Sequence, residues 1–201
     1  MAEVTAFGKT DRRNKTCHGQ TGNRCSLLMR TNQNCRDDKL KFEVVNRENN
    51  MKICFRQANL EDAELLIGIY NDSFYSDYVR YGECPGYGKT KEIMESSIKT
   101  TPKFIISCDG KPVGCVSCKK TDMYEYEIGV LCIIPEYQGK GIGTEAIRFV
   151  KKYYEDCKRF TLVTPTDKKE NIKFYTEKCG FKIVSAEKDG NVELTRFVMN
   201  R

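Results

Sequence analysis

Residues 133–144 have the sequence IIPEYQGKGIGT, in which an apolar run leads into three alternating glycines, Gly139, Gly141 and Gly143. Residues 141–157 then place apolar side chains at helical spacing, so the glycines join a predicted strand to a predicted helix. Alternating glycines allow tight turns and let backbone N–H groups approach a ligand closely. Because the first N–H groups of a helix lack partners and carry partial positive charge, this arrangement is suited to a pyrophosphate.

Other phosphate-binding patterns fit this loop less well. The chain has no Walker-type GxxxxGK[ST] run. The stretch from Gly141 to Ala146 formally matches the dinucleotide fingerprint GxGxxA, but residues 135–140 separate it from its strand, and too little chain follows for a dinucleotide domain. A dinucleotide-binding protein and a glycine-rich helix start without any ligand are therefore the alternatives at this stage.

Length and composition point to one domain of ordinary size. The chain has 201 residues, of which 39% are hydrophobic and 31% charged, and no run approaches the roughly 20 apolar residues of a membrane span. Because the only histidine is His18, the sequence after Met51 excludes Ser-His-Asp hydrolysis, Cys-His catalysis and histidine-bound zinc. We expect no metal, no membrane association and, without a leader-like N-terminus, a cytoplasmic protein.

The charge distribution argues against nucleic-acid binding. The net charge is +6, and residues 1–50 supply +4 of it from 10 basic and 6 acidic side chains. The remaining 24 basic and 22 acidic residues leave only +2 on the predicted domain. A nucleic-acid binder concentrates Lys and Arg on its folded domain, so we predict no nucleic-acid partner.

Eleven cysteines are present, an odd number with no framework spacing. Several interrupt apolar runs, where reduced cysteine behaves as a small hydrophobic residue. Cys115 and Cys118 form a CxxC pattern, but in a strand residues three apart face opposite sides. We therefore predict reduced, structural cysteines.

Two regions differ in organisation. Residues 1–50 lack apolar periodicity and are interpreted as an N-terminal extension, disordered or not native to the protein. Residues 51–201 are interpreted as one α/β domain with the order β-α-α-β-β-β-α-β-α-β-β. Its first helix is predicted to end at Tyr70 and to be followed by an irregular aromatic segment over residues 72–89. Asp109-Gly110 is predicted to be the turn of a hairpin.

Two motifs give the chain a resemblance to a known family. The stretch from Gln138 to Gly143 resembles the Q/R-x-x-G-x-G/A acyl-CoA pyrophosphate loop of the GNAT superfamily of N-acetyltransferases. The stretch from Asn171 to Phe181 resembles the second motif of that superfamily, a helix that carries a tyrosine and closes in Gly-Phe. One predicted helix and one strand separate the two, and the resemblance covers residues 51–201.

The resemblance implies a GNAT fold with a mostly antiparallel central sheet of 6–7 strands and about four helices. It also implies acetyl-CoA as co-substrate, bound in part where the fourth strand bulges and frees its amides. The implied cofactor-binding residues are Cys132, Ile133, Ile134, Gln138, Gly139, Lys140, Gly141, Ile142, Gly143, Thr144, Asn171, Phe174 and Tyr175.

The implied reaction is direct attack of a primary amine on the thioester. Such a reaction needs a base for the amine, a donor for the oxyanion and an acid for the thiolate. The resemblance implies that Tyr175 protonates the thiolate and that the oxyanion donor lies near Ile133. Glu127 is the candidate base, although a water relay or a purely positioning role for it stays open.

The acceptor is expected over the first two helices and their connection. Aromatic and acidic side chains there can form a pocket for a cationic amine, or simply the packing of a lid. The candidate residues are Tyr75, Tyr78, Tyr81, Glu83 and Tyr87. A small amine or a peptide is the expected acceptor, and the family allows a homodimer. The competing hypotheses are a non-catalytic acyl-CoA-binding or regulatory module and, less favoured, the dinucleotide-binding protein.

Overall fold

The computed structural model describes residues 41–46 and 51–201. Within them, eight strands form one sheet in the order β1-β2-β3-β4-β5-β6-β8-β7. The strands are β1 (Lys41–Asn46), β2 (Met51–Gln57), β3 (Lys103–Cys108), β4 (Lys111–Asp122), β5 (Glu125–Ile133), β6 (Arg159–Pro165), β7 (Lys182–Asp189) and β8 (Val192–Asn200).

Four helices connect these strands. They are α1 (Ala63–Tyr81), α2 (Lys91–Thr100), α3 (Ile142–Tyr153) and α4 (Lys169–Lys173), which continues into a π-helical turn over Phe174–Lys178. None of the helices between residues 51 and 201 combines the length and the apolar character that crossing a membrane demands.

The sheet is covered on both faces. On one face Phe149 of α3 stacks on Phe55 of β2, with ring centroids 4.4 Å apart. On the other face the Tyr70 hydroxyl of α1 lies 3.8 Å from the Cys115 sulfur of β4. The register of β2, β3 and β4 puts Phe55 and Cys115 on opposite sides of the sheet. Only β5 and β6 pair in parallel; the other strand pairs of the described region are antiparallel.

The mixed, mostly antiparallel sheet with four helices confirms the predicted fold class, with eight strands instead of 6–7. The hairpin turn at Asp109-Gly110 is also confirmed, since both residues have positive φ, 49° and 85°. The prediction that the first helix ends near Tyr70 is wrong. The helix continues because Phe74 is buried against the sheet, and it ends at Gly82, whose φ is 77°.

The first strand also differs from expectation. Residues 41–46, interpreted as part of an extension, pair antiparallel with β2 in the register Val44 opposite Ile53. The ring of Phe42 lies 5.1 Å from that of Phe149 on α3. The sheet therefore begins before Met51, because strand pairing is nonlocal and a short apolar run signals it weakly. The interpretation of residues 1–40 and 47–50 lies outside the described residues.

Candidate active site

A gap opens where β5 and β6 separate. Their parallel pairing comprises three residue pairs and ends with Glu127 opposite Thr161. Beyond this point β5 runs on to Ile133 beside β4, and β6 runs on to Pro165 beside β8. The two neighbouring strands therefore leave backbone groups of β5 facing the space between them.

A β-bulge in β5 marks the start of this gap. Ser117 of β4 lies opposite Val130, whereas the next residue, Cys118, lies opposite Ile128. Gly129 is thus the extra residue of β5. A bulge bends its strand and increases the local twist, and this one follows Glu127 by two positions. It accounts for the divergence of β5 from β6, and it lies in the strand that the resemblance implies to bulge.

The register fixes which amides of β5 face the gap. The Ile134 N–H donates to the Val113 oxygen of β4 at 2.9 Å. Because backbone groups alternate in an antiparallel pair, Cys132 and Ile134 direct theirs to β4, whereas Leu131 and Ile133 direct theirs away, into the gap. Of the three residues predicted on this strand, Ile133 alone therefore presents its N–H to the gap. Leu131 does the same and was missed by the sequence analysis.

The side chain of Gln138 ties the following loop to this gap. Its Nε2 donates to the Ile133 carbonyl oxygen at 2.8 Å. Residues Pro135–Tyr137 between them form a single 3-10 turn. The hydrogen bond brings the glycine loop next to the open end of β5.

The glycines of the loop adopt backbone conformations that other residues rarely reach. Gly139 has a φ of 74° and Gly141 a φ of 80°. Gly141 immediately precedes α3 and has no side chain with which to cap this helix start. The N–H groups of Ile142, Gly143 and Thr144 are thus the first of the helix, where backbone donors and the helix dipole favour an anion.

Two lysines flank the loop. The Nζ of Lys140 lies 4.8 Å from the centre of the Tyr137 ring, and that of Lys111 lies 5.4 Å from the same centre. Lys111 begins β4 and was not among the predicted site residues. Its proximity depends on the pairing of β4 with β5, which residue spacing alone does not reveal.

The second motif lies on α4 and its π-helical turn. Asn171 is buried, and its Nδ2 donates to the Thr164 Oγ1 of β6 at 3.1 Å. Phe174 is half-buried. Tyr175 is completely buried, with its ring centre 4.9 Å from that of Phe174, 5.8 Å from that of Phe181 and 5.6 Å from that of Phe197. Single π-helical turns occur frequently at functional sites, but the aromatic packing gives Tyr175 a structural role as well.

Glu127 lies at the point where the gap begins. Its side chain is half-buried, and its Oε2 is 4.0 Å from the Arg196 Nη1 of β8. The same guanidinium contacts Glu187 of β7 at 2.7 Å. The Glu127 side chain is 31% exposed, so its carboxylate lies next to Arg196 and also in contact with water.

The predicted acceptor residues divide into two groups. Tyr78 and Tyr87 stack with ring centres 4.6 Å apart, and Tyr75 lies 5.9 Å from Tyr87. The side chains of Tyr75 and Tyr78 are exposed on α1. This cluster packs the segment after α1 back onto the helix, as the Gly88 N–H also does by donating to Asn71 at 2.9 Å.

Tyr81 and Glu83 make contacts outside that cluster. The Tyr81 hydroxyl donates to Asp167 at 2.7 Å, and partial burial together with this hydrogen bond raises the pKa of Tyr81. The Glu83 carboxylate lies beside Gly190, in the turn between β7 and β8. Tyr78 and Tyr81 are neighbours on the surface of α1, three residues apart, but the contacts of Tyr81 and Glu83 are with Asp167 and Gly190 rather than with Tyr87.

The eight cysteines of the described region are free, and seven of them are buried. Cys115 and Cys118 lie on opposite faces of β4, and burial raises the pKa of both thiols. No three metal-ligating side chains converge within residues 41–46 and 51–201.

Comparison with known proteins was made by sequence and by structure. The model of the Acetyltransferase (GNAT) family matches residues 66–181. A curated relative, the uncharacterized protein YrkN of Bacillus subtilis (strain 168), is 36% identical over 77 residues, which span 38% of this chain and 42% of that protein. This alignment thus spans less than half of the relative's length.

Several solved structures share the fold. An acetyltransferase from Thermus thermophilus superposes with a TM-score of 0.61 at 22% identity, covering 74% of this chain and 97% of its own. The GNAT domain of S. lividans PAT gives 0.64 at 16% identity, covering 80% and 97%. The microcin C7 self-immunity acetyltransferase MccE gives 0.61 at 21% identity, covering 74% and 92%. The family match covers more than half of the chain and includes the gap, the glycine loop and the second motif, so the chain belongs to the GNAT acetyltransferase family.

Proposed function

We propose that this protein transfers the acetyl group of acetyl-CoA to a primary amine. The observation that carries the proposal is the separation of β5 from β6 after Glu127, which leads along Ile133 to the glycine loop. A GNAT acetyltransferase domain matched over these elements supports acetyl transfer as the general activity.

The residues present fit acetyl-CoA. Gly139 and Gly141 have left-handed backbones, and Gly141 adds no capping side chain to the start of α3, whose first amides suit a pyrophosphate. Lys140 and Lys111 add positive charge beside the loop. The MccE structure contains acetyl-CoA and AMP, which supports the same co-substrate for this chain.

Acetyl-CoA supplies an acyl group already activated as a thioester, so the protein needs no nucleophile of its own. We assign the oxyanion contact to the Ile133 N–H, because it is directed into the gap. Glu127 is the proposed acceptor of the amine proton, directly or through water. Tyr175 is the proposed donor of a proton to the departing sulfur. Asn171 and Phe174 are proposed to shape the wall of the gap.

An acyl-CoA-binding module without turnover is the second candidate. The complete burial of Tyr175 favours it, because a proton donor has to reach the sulfur. This candidate predicts the same ligand affinity as the first one but no product.

The test combines binding with turnover. Acetyl-CoA is expected to raise the thermal midpoint of the full chain, and NAD is expected to leave it unchanged, because only a ligand bound to the native state stabilises it. Release of free thiol is then followed with a panel of primary amines. Stabilisation without thiol release from any amine would favour the binding module, and absence of stabilisation by acetyl-CoA would refute both candidates.

A further inference from the structure

A buried lysine lies on the face of the sheet that α1 covers. Lys103, the first residue of β3, is 4% exposed, and its Nζ lies 5.8 Å from the centre of the Tyr70 ring of α1. The register puts Lys103 opposite Ser117, and Ser117 opposite Val130 at the bulge of β5. One row of residues across the sheet thus leads from this ammonium to the gap.

A second lysine contributes positive charge that acts on Lys103. Lys89, half-buried in the segment before α2, has a pKa lowered first by burial and then by the positive charge of Lys103. Burial also lowers the pKa of Lys103, which only the nearby thiols of Cys115 and Cys132 oppose. In the part of the chain that the structure describes, no carboxylate forms an ion pair with either ammonium. A buried ammonium close to a second positive charge destabilises the folded state unless an anion pairs with it.

Lys103 and the proposed base share one face of the sheet. Side chains of β4 alternate, so Ser117 and Lys119 point to the same side, and their register partners are Lys103 and Glu127. Neighbouring strands lie about 4.8 Å apart, which puts the backbone of β3 about 10 Å from β5. Ser117 of β4 and Tyr70 of α1 are buried on this face, so an acceptor with its amine at the gap has to enter between α1 and β4 to bring its other end to Lys103.

We propose that Lys103 binds a carboxylate or phosphate of the acceptor, so that the substrate class is a primary amine carrying an anionic group. This inference rests on the proposed acetyl transfer and narrows its acceptor. It differs from the aromatic, mildly acidic pocket for a cationic amine that the sequence suggests. Tyr75, Tyr78 and Tyr87, which form the aromatic part of that pocket, are instead occupied in packing the segment after α1.

The test uses matched probes of graded length. They are unbranched ω-amino carboxylates and ω-aminoalkyl phosphates with chains of graded carbon number, each compared with the corresponding amino alcohol. Thermal midpoints of the full chain are measured with saturating CoA for the unmodified protein, Lys103→Met and the exposed control Lys99→Met. At least one anionic series is expected to stabilise the unmodified protein and Lys99→Met. The probe concentration at half-saturation is expected to be at least about tenfold lower than for the amino alcohol, which corresponds to one ion pair of about 1.4 kcal/mol. In Lys103→Met this preference is expected to disappear.

The Lys103→Met substitution is also expected to change the thermal midpoint in the absence of any probe. Because methionine removes a charge that no carboxylate of the described region neutralises, Lys103→Met is expected to have a higher thermal midpoint than the unmodified protein. A lower midpoint of Lys103→Met without probe would overturn the inference. So would any of three probe results: no stabilisation by either anionic series, equal stabilisation by the amino alcohols, or a preference for the anionic probes that survives in Lys103→Met. Release of free thiol from acetyl-CoA with the panel of primary amines is measured alongside for every variant, because turnover that persists where the anionic preference is missing separates failure of this inference from failure of the proposed function.

Discussion

The Gln138 side chain donates a hydrogen bond of 2.8 Å to the Ile133 carbonyl, and this contact joins the glycine loop to the strand that borders the gap. Replacing Gln138 by Ala leaves that carbonyl without this donor and releases the loop. Loss of one such bond costs about 1 kcal/mol. We expect acetyl-CoA to bind Gln138→Ala about fivefold more weakly by calorimetry. Glu136→Ala, an exposed change in the same loop, is the control and is expected to bind normally.

Gly141 provides a sharper test of the loop because its φ is 80°. An L-residue in this region costs about 1–2 kcal/mol, so Gly141→Ala is expected to lower the free energy of unfolding by that amount and to weaken acetyl-CoA binding. Gly68→Ala in α1 is the matched control, because a Cβ there meets nothing within 4 Å. In that helix alanine is expected to stabilise by up to about 1 kcal/mol. Equal effects of the two changes in urea denaturation would contradict the explanation.

A buried ion pair joins α1 to the segment between β6 and α4. Lys168 contacts Asp77, whose side chain is 2% exposed. Removing one partner of a buried pair costs about 3–5 kcal/mol, so Asp77→Asn is expected to lower the urea midpoint strongly. Glu64→Gln is the control, since it breaks an exposed pair with Lys91 that contributes at most about 1 kcal/mol. A loss in Asp77→Asn no larger than in the control would disprove the role of the pair.

Tyr175 has two proposed roles that one substitution separates. Tyr175→Phe keeps the ring among Phe174, Phe181 and Phe197 but removes the hydroxyl. If the hydroxyl delivers a proton, kcat is expected to fall by about 100-fold or more while the thermal midpoint stays within a few degrees. Unchanged kcat in the thiol-release assay would leave Tyr175 with its packing role alone.

The lowered pKa of Lys103 predicts a dependence of stability on pH. Below its folded pKa the lysine is charged in both the folded and unfolded states, and the folded state bears the full cost of burying the charge. As the pH rises from that pKa to 10.5, the folded state loses its proton first, so this cost disappears. The excess stability of Lys103→Met over the unmodified protein is therefore expected to shrink over this interval. Urea denaturation of both proteins at several pH values measures it, and an excess that grows with pH would contradict the prediction.

Local patterns in the sequence predict one part of the site and miss another. The glycine loop and the helix with Tyr175 are motifs of contiguous residues, so their secondary structure follows from spacing. The extent of α1 does not follow from spacing. Asn71, Asp72 and Ser73 resemble a turn, whereas burial of Phe74 against the sheet keeps the chain helical.

Residues brought together by strand register are the ones that spacing cannot reveal. Leu131, Lys111 and Lys103 acquire their positions from the pairing of β3, β4 and β5. The contacts of Tyr81 with Asp167 and of Glu83 beside Gly190 likewise join residues far apart in the sequence, so spacing does not reveal them. The roles of the individual site residues stay predictions until the variants are measured.

The short pairing between β5 and β6 divides the sheet mechanically into a five-stranded block and a three-stranded block that share three residue pairs. The far end of α1 spans this division, since Asp77, Arg80 and Tyr81 all contact residues 167–168 beyond β6. Helix α1 thus connects the two blocks across the gap. The spacing of the two blocks, and with it the room for a pantetheine chain, depends on a helix that carries none of the proposed catalytic groups.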